Sequence, residues 1–269
     1  MQTNLEKLQT KKFLFFSLLA TGFIMLIANL VGHEVTTITT DLLYVPVPGA
    51  LVVLSIIIST RFRVKGDHGK AWILFIGLAA SWFIAEQIWI VYELIYHLDP
   101  FPSMADFFYI AGYPFLFSFL LYYLKPLKTA ISKKMLLYAS LVSITLLIPS
   151  LYMAYDTDSK ISIFERLLAL SYPIADSIVL VPALIGVILF FKGEVNFLWT
   201  LMCLAIILNV VADTGFLITS MDDSYYTGHP IDMLYLWAYI LFSFGVYSHI
   251  QIFKKHNPIR KSQSLGDLR

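Results

Sequence analysis

PSMADFFYIAGYPF, residues 102–115, opens a strongly apolar segment with an acid, Asp106, and sets Tyr109 and Tyr113 three and seven positions further on. Those steps fall on one face of an α-helix. The segment continues as LFSFLLYYL to Leu124. Its length is about 20 residues, enough for a helix to cross a hydrocarbon core of roughly 30 Å. A transmembrane helix that begins with an acid and carries an acid–tyrosine–tyrosine stripe calls for an explanation beyond lipid solubility.

The rest of the chain reads the same way. Of its 269 residues, 58% are hydrophobic and 14% charged, against about 25% charged in soluble domains. The mean hydropathy is +0.75. Apolar runs of spanning length occur at about 13–32, 43–60, 71–97, 105–124, 135–155, 166–191, 197–219 and 232–253. The first is expected to be a span and not a cleaved signal, because no convincing small-residue cleavage site follows it. Basic residues sort by loop: 17 of the 19 Lys and Arg flank alternate span ends, and only Lys160 and Arg166 fall on the other side. Short loops rich in Lys and Arg stay in the cytoplasm. The expected fold is therefore an all-α integral membrane protein of eight transmembrane helices with both termini cytoplasmic. It divides into a cytoplasmic segment at 1–12, a membrane domain at 13–253 and a basic cytoplasmic tail at 254–269. The cell membrane is the expected location. The net charge of +1 gives no reason to expect nucleic acid. The single cysteine, Cys203, lies in mid-span and reads as packing.

The stripe has counterparts. DLLYVPVP carries Asp41 and Tyr44, ERLLALSYP carries Glu165 and Tyr172, and DMLYLWAY carries Asp232, Tyr235 and Tyr239. With Asp106, the four acids stand 65, 59 and 67 residues apart, each expected to open an even-numbered span. Four helical hairpins of similar design account for that recurrence. Capping and an aromatic belt explain an acid in a first turn and a nearby tyrosine. They do not explain a second tyrosine two turns deep on the same face. Pro114 and Pro173 each free a carbonyl inside a span, which a tyrosine hydroxyl or water is expected to satisfy.

More acids lie within the spans. Glu86 and Glu93 are seven residues apart on one expected helix face, Asp176 lies near mid-membrane, and Asp213 sits in the outer half of span 7. A charged residue at the centre of a span costs about 2.5–3.5 kcal/mol on insertion scales. No Lys or Arg lies inside a span to neutralise these acids. They are expected to point into the bundle, protonated, hydrogen-bonded to tyrosines or facing a water-filled cavity open to the outside. The candidate ligand-binding residues are Glu86, Glu93, Asp106, Tyr109, Tyr113, Tyr172, Asp176, Asp213, Asp232, Tyr235 and Tyr239. A small cationic ligand or a proton suits such a pocket.

Other chemistries lack their residues. Without an intramembrane lysine there is no retinal Schiff base. Asp-Thr-Gly at 213–215 has no second copy and no β-rich setting. Neither H-E-x-x-H nor G-x-S-x-G occurs, nor a phosphate-binding glycine loop. His33, His97 and His229 lie at outer span ends on separate loops, and read as incidental rather than as a metal site. No catalytic residue, metal or cofactor is expected.

The block from Ser81 to Pro126 resembles a recurrent segment of bacterial multi-span sensor regions that precede GGDEF, EAL or histidine kinase domains. It carries that pattern in Pro102, Ser103, Ala105, Asp106, Tyr109, Gly112, Tyr113 and Pro114; SYPIADSIVL and ADTGF…HPIDMLYLWAY look like later hairpins of the same region. The resemblance implies an integral-membrane sensory module and supplies no ligand. The present chain has no GGDEF, EAL or kinase motif, so a sensor of this kind is expected to signal through a separate cytoplasmic protein. A small-solute or cation- and proton-coupled transporter is the alternative, since repeats and embedded acids suit one. Against it, the acids cluster toward the outer half of the spans. A membrane enzyme acting on lipid headgroups is a third, weaker reading, because no nucleophile or metal set stands out.

Overall fold

A computed structural model describes residues 4–62, 66–154, 162–191 and 195–255. Residues 256–269, with Arg260, Lys261 and Arg269, and also Arg63, Lys65, Lys160 and Lys192 lie outside the described residues. Among those described there is no strand, and the helices run α1 (Asn4–Val31), α2 (His33–Leu43), α3 (Pro46–Phe62), α4 (Gly66–Ile90), α5 (Met104–Leu124), α6 (Lys133–Ala154), α7 (Ile163–Leu189), α8 (Asn196–Met221) and α9 (Asp232–Lys255). Among the described residues, eight helical stretches are long and apolar enough to cross a membrane. The protein is a multi-pass membrane protein. α1 begins at Asn4, ahead of its spanning stretch from Leu8.

The second span departs from its expected start. It runs from His33 to Arg61 and is broken at Tyr44–Val45, where α2 stops and α3 begins at Pro46. Pro46 and Pro48 lack the amide hydrogens needed to continue α2, and both are tolerated in the first turn of a new helix. Asp41 therefore lies in the last turn of α2 and opens nothing. Asp106 and Glu165 do open helices, each completing a capping box with Ser103 or Ser162, and Asp232 is the first residue of α9.

Six helices close a ring in the order α3, α4, α5, α7, α8, α9 and back to α3, each packed against the next. α1 leans on α2 and α9, and α6 lies against α7 and α8. Close approach depends on small residues. A Cβ at Gly112 of α5 would stand 2.1 Å from Trp82 Nε1 of α4, and one at Gly186 of α7 would stand 2.0 Å from Trp199 Cε3 of α8. Trp82 Nε1 donates to the Tyr109 carbonyl at 3.0 Å, and Ser81 Oγ to the Phe108 carbonyl at 2.6 Å. The Tyr109 carbonyl lies five residues before Pro114. The Ser177 carbonyl, five before Pro182, likewise takes the Ser143 hydroxyl. These serine and tryptophan donors tie neighbouring helices together at carbonyls beside the ones that Pro114 and Pro182 free.

The ring is filled unevenly. On the side where α3 ends, α4 begins and residues 125–132 lie, its axis is solid with Trp72, Phe75, Leu78, Leu116, Phe119, Leu120 and Phe242, all fully buried. Phe75 lies 4.9 Å from Phe119 and 6.3 Å from Phe242 between ring centroids. Beyond that layer Tyr123 and His249 meet at 3.1 Å, and Lys125 pairs with Asp67 at 3.0 Å. On the side of the loops at 96–103 and 222–231 the ring encloses a cavity.

Candidate functional site

The cavity is walled by α2, α4, α5, α7, α8, α9 and the two loops above them. Water centres could occupy about 100 Å³ of it. That is several times the roughly 10–15 Å³ that a single water needs. Its floor reaches Asn209, twelve residues before the end of α8 at Met221, about 18 Å at a helical rise of 1.5 Å per residue. The wall carries five carboxyl side chains, Asp41, Glu86, Asp106, Asp213 and Asp232. Seven tyrosines share it, including Tyr109, Tyr113, Tyr172, Tyr235 and Tyr239. Among the described residues, no Lys, Arg or His lines it.

Four of the five acids each take a hydrogen bond from a tyrosine on another element. Tyr239 donates to Glu86 Oε1 at 2.7 Å. Tyr235 and Tyr113 donate to the two Asp213 oxygens at 2.5 and 3.3 Å. Tyr172 donates to Asp106 Oδ1. Asp232 takes the Tyr225 hydroxyl at 3.1 Å and the Gly228 amide at 2.6 Å. Gly228 sits at φ +90°, a left-handed conformation that glycine adopts without strain, and this turns its amide onto Asp232. Burial, then the carboxylate beside it, pushes the Tyr225 hydroxyl well above the usual tyrosine range. It therefore stays protonated and remains a donor.

The fifth acid differs. Asp41 is 1% exposed, and neither of its oxygens has a hydrogen-bond partner. It lies one residue after Thr40, whose hydroxyl is also unpartnered, and three before Tyr44, whose own hydroxyl is spent on the Asp232 carbonyl at 3.1 Å. A buried polar group left without a partner costs about 1–3 kcal/mol, more when charged. Among the acids that line the cavity, this is the one left without a donor.

Two expected residues stand outside the wall. Asp176 is fully buried behind it, against Asp213 and Tyr113, with neither oxygen at hydrogen-bond geometry. Glu93 falls in a π-helical turn at Val91–Ile95 that ends α4. There it accepts from Trp89 Nε1 at 3.2 Å, beside the wall and not on it. The wall also includes residues that helix periodicity did not single out, namely Trp82, Trp89, Phe101, Phe216, Tyr225 and Thr227. Trp89 Nε1 also donates to Thr227 Oγ1 at 3.2 Å, tying α4 to the loop over the cavity. That loop is held from the far side by Asn29 on the Gly228 carbonyl at 2.9 Å and by Thr37 on the Thr227 carbonyl at 3.2 Å.

The histidines at this end do not converge on the cavity. His33 and His229 pack against the Tyr226 ring at 4.3 and 5.4 Å, and burial lowers the His229 pKa. Among the described residues no three His, Cys, Asp or Glu side chains are grouped to hold a metal ion. Comparison with protein-family models, curated proteins and solved structures finds no match to this chain.

Proposed function

We propose that this chain is an integral-membrane, receptor-like sensory module of the cell membrane, whose cavity opens to the outside and binds a small cation. The observation that carries the reading is the wall itself: five carboxyl groups and seven tyrosines from six helices and a loop, with no basic side chain among the described residues. Carboxylates beside aromatic faces favour cations, through charge and through the ring quadrupole. Lys and Arg gather at the opposite end, in Arg61, Lys70, Lys125, Lys128, Lys133 and Lys134. By the positive-inside rule that end faces the cytoplasm, along with both termini. Four hairpins of related design, α1 to α9 taken in pairs of spans, bring the acids to the outer side. The likeness of residues 81–126 to the sensor regions of GGDEF, EAL and histidine kinase proteins agrees with this role, and the signal passes to a separate protein at the basic face.

The apolar layer under the floor favours sensing over transport. A conduit needs polar groups through to the other side, whereas Phe75, Phe119, Phe242, Leu78 and Leu116 fill the axis there. Thermal unfolding of the detergent-purified protein across monovalent, divalent and organic cations and pH tests the reading. A cation at a hundred times its Kd adds about 2.7 kcal/mol to the folded state. One class of cation stabilises wild type, Glu86→Gln and Asp213→Asn lose the response, and Asp176→Asn, behind the wall, keeps it. Liposomes carrying the protein show no flux of that cation. If no cation stabilises wild type, the pocket reading is wrong; flux would make the protein a transporter.

A further inference from the structure

The cation-pocket reading leaves the class of cation open, and Asp41 narrows it. Resting on that reading, we propose that the cavity takes a small primary or secondary ammonium whose N–H groups bond Asp41 while its apolar body lies among Trp82, Trp89, Phe101 and Phe216.

Asp41 alone among the lining acids lacks a hydrogen-bond donor. It is buried, and its helix position explains the gap. In the last turn of α2, its carboxyl has no free helix amides to cap, unlike Asp106 on the Ser103 amide at 2.6 Å or Asp232 on the Gly228 amide. An occupant that brings both positive charge and hydrogen-bond donors completes it best. An ammonium with N–H groups brings both; a quaternary ammonium brings only charge. A divalent metal ion suits it poorly, since calcium takes six to eight oxygens and magnesium a near-ideal octahedron. Here the other four carboxyl groups are engaged by tyrosines on separate walls.

The remaining wall suits an organic body. Trp82 packs edge-on to Tyr113 and Tyr239 at 5.7 and 6.0 Å, and Trp89 to Phe216 and Tyr225 at 6.4 Å each. Phe101 lies 5.0 Å from Phe216. Such a cage binds an alkyl or aryl chain by burial and the ammonium head by cation–π attraction. A cavity of about 100 Å³ suits a small amine.

Trp82 and Trp89 line the cavity, so tryptophan fluorescence of the intact wild-type protein reports its filling without any substitution. The protein in detergent is titrated with 2-phenylethylamine, tyramine, histamine and butylamine. Choline, magnesium and 3-phenylpropionate are the controls. The expected result is a saturable change with at least one primary amine, at least tenfold weaker with choline and absent with phenylpropionate. Asp41→Asn keeps the shape and loses the charge, and it weakens the amine at least tenfold. Glu165→Gln, whose carboxyl lies outside the cavity, leaves it unchanged. Saturable binding of choline or magnesium in preference to every amine overturns the ammonium assignment and leaves the cation pocket standing. So does full amine affinity in Asp41→Asn. No saturable response to any cation, or a response to phenylpropionate alone, sinks both. Should Asp41→Asn fail to fold, the wild-type ranking of amine over choline decides alone.

Discussion

Tyr235 and Asp176 act on Asp213 in opposite senses. Tyr235 donates to it at 2.5 Å, whereas Asp176 sets a second buried carboxyl beside it with no hydrogen bond of its own. Removing a donor from a buried acceptor costs about 1–3 kcal/mol. Tyr235→Phe should therefore lower the thermal midpoint by that amount of stability. Asp176→Asn removes one acid and supplies an amide donor, so it should leave the midpoint unchanged or raise it. Thermal unfolding in one detergent compares the two, and a rise in Tyr235→Phe or a large fall in Asp176→Asn would contradict this arrangement. At this scale the sequence was readable where helix periodicity held. Tyr109, Tyr113, Tyr172, Tyr235 and Tyr239 line the cavity, as do Glu86, Asp106, Asp213 and Asp232. Trp82, Trp89 and Phe216 gave no signal, because an aromatic side chain in an apolar helix looks the same facing lipid, core or cavity.

Among the elements, breaks in helical regularity decided what the sequence concealed. The prolines at 46 and 48 end one helix and begin another inside a single span, which moves Asp41 from an expected first turn to a last one. The π turn at Val91–Ile95 interrupts the α-helical period at Glu93. Neither follows from a constant 3.6-residue period. The α4–α5 contact was equally hidden, since it rests on a glycine meeting a distant tryptophan. Gly112→Ala puts a methyl group 2.1 Å from Trp82 Nε1, and overpacking of that kind costs about 1–3 kcal/mol. The same change displaces Trp82 from the floor of the cavity, so its fluorescence emission should shift along with the midpoint. Ser103→Ala and Ser162→Ala each remove a capping hydroxyl and should cost about 1 kcal/mol. Ser103→Ala should perturb the cavity more, because its helix carries Asp106 into the wall and Glu165 stays outside. A midpoint unchanged in Gly112→Ala would count against the close packing of α4 on α5.

For the whole molecule, the ring of six helices divides its axis into an acid- and tyrosine-lined cavity on one side and an apolar layer on the other. Eight spans were legible from hydropathy alone because the bilayer sets a fixed length of apolar helix. The order of the ring was not, because lipid-facing and helix-facing residues are both apolar. The central claim is that the cavity is acidic in effect and opens outward. Phe101 lines it from the loop at 96–103, and Cys203 is the only native cysteine. The most direct measurement is the modification rate of Phe101→Cys, in a Cys203→Ala background, by membrane-impermeant thiol reagents of opposite charge applied to each face of oriented vesicles. Reaction from the outer face only, with the cationic reagent at least tenfold faster than the anionic one at low salt and the gap narrowing as salt rises, is the predicted result. Reaction from the inner face, or equal rates for the two reagents, would contradict it.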